Sequence, residues 1–113
     1  METNQDILYR YEGYILEEGY LYEDGSYRPP LVEVRLQRFF VIRRTPKGAW
    51  IRYYTGKQKF VLLTARKRFA CQTIEEARVS FIARKKRQIC LLTHTLEAAK
   101  AELSKALNIH HQE

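Results

Sequence analysis

Cysteine, proline and glycine are all scarce in this 113-residue chain, which contains two, three and five of them. Cys71 and Cys90 form no Cys-x-x-Cys pair, so we expect small buried thiols of a reducing compartment rather than a disulfide or a redox site. The glycines stand singly at turn-like positions, which leaves no phosphate-loop or dinucleotide-binding motif. No apolar run is long enough to cross a membrane, and the acidic N-terminal residues do not resemble a signal peptide. These absences predict one domain, residues 1–113, in the cytoplasm and with no membrane partner.

Residue groupings that carry catalysis are missing as well. His94, His110 and His111 lack the spacing of a zinc site, and the cysteines do not complete one. No serine or cysteine stands in a recognisable nucleophile motif. The paired carboxylates at residues 17–18 and 75–76 are explained by a turn and by the first turn of a helix, where acids favour the helix dipole. We therefore expect no enzyme, no metal and no cofactor.

Acidic residues are scarce in the middle of the chain. Residues 28–92 hold 17 of the 20 lysines and arginines but only three acids, a net charge of +14, whereas residues 1–24 hold seven acids and one base. Such a bias indicates anionic partners and says nothing about the fold. A solvated basic surface that keeps the protein soluble would explain it equally well.

The first 66 residues carry the patterns of β-strands. Apolar and polar residues alternate over residues 7–12 and 32–37, as in half-buried strands. The apolar parity reverses at Phe39 and Val41, which indicates either a bulge near Arg38 or a strand buried on both faces. The run Thr45-Pro46-Lys47-Gly48 predicts a hairpin turn in which Gly48 takes the left-handed conformation.

Residues 73–107 predict the helical part of the chain. Thr73 is a suitable N-cap, and Glu76 completes a capping box. One stripe at helical spacing contains polar residues that would be costly to bury without partners; it comprises Ala77, Phe81, Arg84, Gln88 and Leu91. A second stripe comprises Ile82, Ile89, Leu92, Leu96, Ala99, Leu103 and Leu107. A helix that is apolar on two faces usually contacts its own sheet and a neighbour, which predicts a homo-oligomer.

The predicted fold class is α+β, with an antiparallel sheet of five or six strands followed by one or two C-terminal helices. The two-helix alternative would bend back near Thr93, where β-branched residues lower helix propensity without breaking a helix.

Arginines and aromatic residues are interleaved at several points, and these supply the candidate ligand-binding site. Arginine binds phosphate through its planar guanidinium, and aromatic faces stack on bases. The candidates are Arg43, Trp50, Arg66, Arg68, Phe69, Phe81, Arg84, Arg87 and Gln88. The structural alternatives are core burial for the aromatic residues, and for Arg84 an ion pair with a carboxylate such as Glu33 or Glu12.

Two stretches, KRFACQTIEEA at residues 67–77 and SFIARKKRQI at residues 80–89, resemble small proteins encoded by tailed bacteriophages, as does the run RRTPKGAWI at residues 43–51. Within that set the chain resembles the anti-Thoeris cyclic-nucleotide sponges, in which an antiparallel sheet precedes C-terminal helices. The resemblance implies a homo-oligomer in the host cytoplasm that sequesters a small anionic nucleotide without catalysis. The ligand would be a cyclic ADP-ribose variant or a cyclic oligonucleotide. The alternatives are an inhibitor that binds a host defence complex and a DNA- or RNA-binding protein.

Overall fold

A computed structural model describes residues 6–110, and the chain divides into two compact units, one ending at Phe81 and the other beginning at Ile82. The elements in order are β1 (Ile7–Glu17), β2 (Tyr20–Leu21), β3 (Tyr27–Arg28), β4 (Leu31–Arg44), β5 (Gly48–Arg52), β6 (Gln58–Leu62) and the helix α1 (Ile74–Leu107). The strands form a four-stranded sheet in the order β1-β4-β5-β6 and a separate β2-β3 pair, all antiparallel. The predicted α+β class, with antiparallel strands followed by a C-terminal helix, is confirmed.

The long strand β4 is regular where the sequence indicated a bulge. Its pairing with β1 runs without a shift from Phe40 to Val32, and Arg38 lies directly opposite Tyr9. The prediction of a bulge near Arg38 is therefore wrong. The irregularity lies further on, between Val41 and Arg43, where β4 pairs with β5.

The hydrophobic core lies on one face of the four-stranded sheet. Residues paired across antiparallel strands share a face, and the pair Ala49 and Val61 is fully buried there. The core cluster consists of Leu8, Phe39, Ala49, Ile51, Val61 and Ala70. The Phe39 ring also contacts the Phe69 ring, with centroids 5.4 Å apart. Phe69 is thus half-buried against the core, as its structural alternative predicted.

The chain passes from the core face to the opposite face at the edge of β1. Cys71 exchanges two backbone hydrogen bonds of 2.7 Å with Tyr9, so the segment before the helix extends the edge of the sheet. The first turns of α1 then pack on the far face. There the Phe81 ring lies 6.5 Å from the Tyr11 ring, and Tyr11 pairs with the half-buried Leu36. β4 therefore buries side chains on both faces, which explains the reversal of its apolar parity.

The start of α1 follows the predicted cap. The Thr73 hydroxyl oxygen accepts the backbone N–H of Glu76 at 3.1 Å, and Ala77 is buried. The helix then continues without interruption through Thr93, so the single-helix alternative is correct. No helix in residues 6–110 is both long and apolar enough to cross a membrane.

The second unit exposes almost all of the helix that it contains. Arg84 is half-buried, and from Lys85 to His110 every residue is exposed. The first predicted stripe is therefore buried only in part, because Gln88 and Leu91 lie in the exposed segment. Cys71 is buried as predicted, whereas Cys90 is exposed, so that half of the cysteine prediction is wrong.

The hairpin between β4 and β5 forms where it was predicted, but Gly48 is not left-handed. Within residues 6–110, positive φ occurs only at Thr55, Gly25 and Gly56. Gly48 is buried, and a Cβ atom there would collide with the Val61 carbonyl oxygen and lie 2.8 Å from Cζ of Phe60. The position requires glycine because β6 approaches it closely.

Candidate functional site

The predicted binding residues fall in several places along the chain. Arg43 and Trp50 meet at the β4–β5 hairpin. Phe69 and Phe81 pack against the two opposite faces of the sheet. Two arginines precede the helix: Arg66 is exposed, and Arg68 pairs with Glu76 at 3.6 Å.

Three further candidates belong to the second unit. Arg84 is half-buried, whereas Arg87 and Gln88 are exposed. The Gln88 side-chain oxygen accepts a hydrogen bond from Nζ of Lys85 at 3.0 Å.

The hairpin gathers the most complete combination of cations and aromatic rings. The Arg43 guanidinium carbon lies 5.8 Å from the centroid of the Trp50 ring, and the Trp50 and Phe60 centroids are 5.4 Å apart at an interplanar angle of 56°. An open depression beside them is lined by Thr45, Pro46, Lys47, Trp50 and Phe60. These five residues and Arg43 are called the hairpin platform below.

The irregularity in β4 determines which side chain stands over Trp50. Val41 pairs with Ile51, so a regular register would place Ile42 opposite Trp50. The shift places Arg43 there instead. Redirecting a side chain in this way is a common use of a β-bulge. Phe60 reaches the platform as the direct partner of Trp50 across β5 and β6.

Sequence reasoning missed Phe60 because it lies outside the basic runs that supplied the candidates. The signal that could have found it was the register across the β5–β6 hairpin, counted from Trp50.

The loop of the hairpin is held by backbone hydrogen bonds. The backbone N–H of Thr45 donates to the Gly48 carbonyl at 2.9 Å, and the N–H of Leu63 donates to the Lys47 carbonyl at 3.0 Å. The Thr45 hydroxyl oxygen also accepts the Gly48 N–H at 3.2 Å. The loop beside Trp50 is therefore fixed to β5 and to the end of β6.

The cations of the hairpin differ in their partners. Arg44 donates from Nη2 to Oδ1 of Asp6 at 2.6 Å and from Nε to Oδ2 of the same carboxylate. Hydrogen bonding to the Arg44 guanidinium lowers the pKa of Asp6, and hydrogen bonding to the Asp6 carboxylate raises the pKa of Arg44. None of the ion pairs formed within residues 6–110 involves Arg43 or Lys47. The two platform cations thus have no described carboxylate to neutralise them.

A second polar cluster surrounds Glu12 on the core side of the sheet. Oε1 of Glu12 accepts hydrogen bonds from Nε of Arg10 at 3.0 Å and from the Tyr54 hydroxyl at 2.9 Å. Its other oxygen accepts the Tyr14 hydroxyl at 3.4 Å, and Gln37 donates to that hydroxyl at 2.7 Å. Partial burial raises the pKa of Tyr54, and the hydrogen bond to Glu12 raises it further. The polar side chains of this cluster hydrogen-bond to one another, as in a network that stabilises the fold.

The same cluster fixes Phe69. Nη1 of Arg10 donates to the Phe69 carbonyl at 2.7 Å, and the Arg10 guanidinium lies 4.4 Å from the ring centroid. Nζ of Lys59 lies 4.3 Å from the same centroid. Phe69 therefore packs against the core of the first unit, whereas Trp50 lines the open depression at the hairpin.

Glu33 and Glu12, the carboxylates named above as partners for Arg84, have neighbours on their own strands. Glu33 accepts a hydrogen bond from Nε of Arg35 at 2.8 Å, and Glu12 accepts one from Arg10 at 3.0 Å. Within the described residues 6–110, no group of three or more His, Cys, Asp and Glu side chains is placed to hold a metal ion.

Comparisons with known proteins give no relative for this chain. No protein-family model matches it. Searches of curated proteins and of solved structures return no match either.

Proposed function

We propose that this chain is a non-catalytic binding protein whose hairpin platform holds a small anionic nucleotide. The observation that carries the proposal is the position of the Arg43 guanidinium over the Trp50 ring, 5.8 Å from its centroid and beside Phe60, with no described carboxylate to neutralise the arginine. In the bound state the base stacks on the exposed aromatic surface, and the phosphate oxygens accept hydrogen bonds from Arg43 and Lys47. Stacking of a base on an aromatic side chain is worth about 1–3 kcal/mol, and charge-assisted hydrogen bonds fix the phosphate.

The residues of the platform favour binding without turnover. They include no carboxylate, imidazole or thiol, and Thr45 is the one residue among them with a hydroxyl. That hydroxyl is hydrogen-bonded to the backbone of the hairpin. A nucleophile or general base would need a partner group within hydrogen-bond reach, and the platform itself supplies none.

The biological role that we propose is sequestration of a cyclic nucleotide immune signal by a phage protein in the host cytoplasm. Its support is the resemblance described above, and the run RRTPKGAWI in that resemblance contains Arg43, Lys47 and Trp50 of the platform. A protein that stores a signal needs a saturable site and no chemistry, which agrees with the residues found there.

Calorimetric titration of the full chain tests the proposal. The ligands are cyclic ADP-ribose, a cyclic dinucleotide and a cyclic trinucleotide. We expect at least one of them to bind at one molecule per platform. Arg43→Gln should weaken that binding by about 10- to 150-fold, the equivalent of a lost charge-assisted contact.

Arg35→Gln is the matched control, because Arg35 is an exposed arginine of the same strand and pairs with Glu33 at 2.8 Å. It should bind as the parent does. Equal affinity in Arg43→Gln and the parent would exclude the platform, and a parent that binds no member of the panel would contradict nucleotide binding.

Salt dependence separates a small ligand from a polymer. A single-stranded oligonucleotide of about 12 nucleotides, titrated at low and physiological salt, should bind no better than the small nucleotide. Tight binding that weakens steeply as salt rises would indicate release of counterions from many phosphates. That result would replace the present proposal with the DNA- or RNA-binding alternative.

A further inference from the structure

Apolar residues recur every seven positions along the exposed part of α1. Ile82, Ile89, Leu96 and Leu103 follow this spacing. Leu92, Ala99 and Ala106 follow Ile89, Leu96 and Leu103, respectively, by three residues. Ile89, Leu92, Leu96 and Leu103 are 62%, 60%, 53% and 60% exposed. This is the a/d pattern of a coiled coil. The residues Ile89, Leu92, Leu96, Ala99, Leu103 and Ala106 are called the helix seam.

We propose that the helix seam binds the same seam of a second copy of this chain, with the two helices antiparallel. The proposal concerns the second unit alone and does not depend on nucleotide binding. A strict seven-residue repeat favours a partner helix over a globular surface, because it keeps one narrow stripe facing the neighbour through a supercoil.

The sizes of the seam residues favour the antiparallel orientation. When Leu96 faces Ala99 of the second copy, Ile89 faces Ala106 and Leu92 faces Leu103. Each alanine then has a large residue opposite it, so the layers fill evenly. In a parallel pair each residue faces its own counterpart, and two layers would consist of alanine alone. Such layers leave space that large residues elsewhere in the seam cannot fill.

The charges on the helix favour the same orientation. Residues 84–87 are four consecutive bases, whereas Glu97, Lys100, Glu102 and Lys105 balance one another further along. A parallel pair would place the two basic segments side by side. In the antiparallel register above, Lys85 of one copy lies about 37 Å along the axis from Lys85 of the other. That separation exceeds the Debye length of about 8 Å at physiological salt, so their repulsion is screened.

Oxidative cross-linking tests the orientation. Two single-site variants, Ile89→Cys and Ala106→Cys, are made in a Cys90→Ser background, which removes the exposed native thiol. The variants are mixed, allowed to exchange and oxidised, and the products are identified by intact mass. The antiparallel pair predicts the mixed disulfide between residues 89 and 106. Same-site disulfides at 89 and at 106 would establish a parallel pair and overturn the orientation, and no cross-link would overturn the interface.

Light scattering tests the association itself. The unmutated chain should have the mass of two copies, or a multiple of two, at micromolar concentration. Leu96→Glu should reduce it to one copy, whereas Ala101→Glu, on the outer side of the same helix, should not. Circular dichroism of both variants checks that the helix is retained. A monomeric parent, or a Leu96→Glu variant as large as the parent, would contradict the proposal. If Leu96→Glu does not fold, the cross-linking result decides.

Discussion

At the scale of single residues, Gly48 was correctly placed in the hairpin, but the sequence predicted the wrong reason for a glycine at that position. The turn pattern marked it as left-handed, but its constraint is the close approach of β6. Gly48→Ala should therefore lower the free energy of unfolding by about 1–3 kcal/mol, as expected of overpacking against backbone. Gly13→Ala is the control, because its Cβ would lie 3.8 Å from Cζ of Phe81, an ordinary contact. Urea unfolding measures both, and equal midpoints for the two variants would contradict the close approach.

Tyr54 makes a pH-dependent contribution to stability. Partial burial and the hydrogen bond to Glu12 raise the pKa of Tyr54 in the folded chain. Its neutral form is thus favoured by folding, so its contribution is complete below the unfolded pKa of about 10 and is lost as pH rises through the folded pKa. Between about pH 9 and pH 11, the parent should lose more stability in urea than Tyr54→Phe does.

Tyr27→Phe is the control for this measurement, since Tyr27 is 63% exposed in β3. It should keep the pH dependence of the parent. The same pH dependence in the parent and in Tyr54→Phe would show that the hydrogen bond to Glu12 does not couple folding to ionisation.

At the scale of elements, the N-cap of α1 is where sequence and structure agree most closely. Thr73→Ala removes the acceptor for the Glu76 N–H and should cost about 1 kcal/mol. Thr95→Ala is the control: the Thr95 hydroxyl donates to the Leu91 carbonyl within the helix at 3.1 Å, a contact that contributes little. Thermal unfolding followed by circular dichroism should separate the two variants. A Thr73→Ala variant as stable as the parent would show that the N-cap hydrogen bond does not stabilise the helix.

The elements also show what the sequence could and could not predict. Alternation and the helix period revealed the strands and α1, because each depends on residues that are neighbours in the chain. The bulge between Val41 and Arg43 depends on how β5 pairs with β4, and no pattern within β4 reports that register. The platform was therefore predicted only in part: Arg43 and Trp50 were found from composition, whereas Phe60 required the cross-strand pairing.

The helix gives a similar lesson about the candidate site. The spacing of the stripe that includes Arg84 and Gln88 predicted that its residues share one face, where its polar members would be costly to bury without partners. The first turns do pack on the sheet, with Ala77 buried, but Gln88 is exposed. Periodicity identifies which residues share a face, and it does not report how far along the helix a partner surface extends.

At the scale of the whole molecule, the core is small and the helix seam is exposed. Association through the seam would make the stability of the fold depend on protein concentration. Three side chains larger than alanine, Leu8, Ile51 and Val61, are fully buried within residues 6–110. If two copies associate through the seam, unfolding includes dissociation, and the melting temperature must rise with concentration. We expect this rise between roughly 2 and 100 μM chain for the parent and for Ala101→Glu, and none for Leu96→Glu. A parent whose melting temperature is independent of concentration would argue against association.

The most direct measurement of ligand binding uses the fluorescence of Trp50, the only tryptophan of the chain and a member of the hairpin platform. Titration with the panel of cyclic nucleotides should change its emission in a saturable way, because the proposed stacking of a base would change the surroundings of the indole ring. The same titration of Arg43→Gln should require at least about tenfold more ligand, and Arg35→Gln should match the parent. Emission that stays constant with every nucleotide, in a parent that remains folded, would contradict a nucleotide site on the hairpin platform.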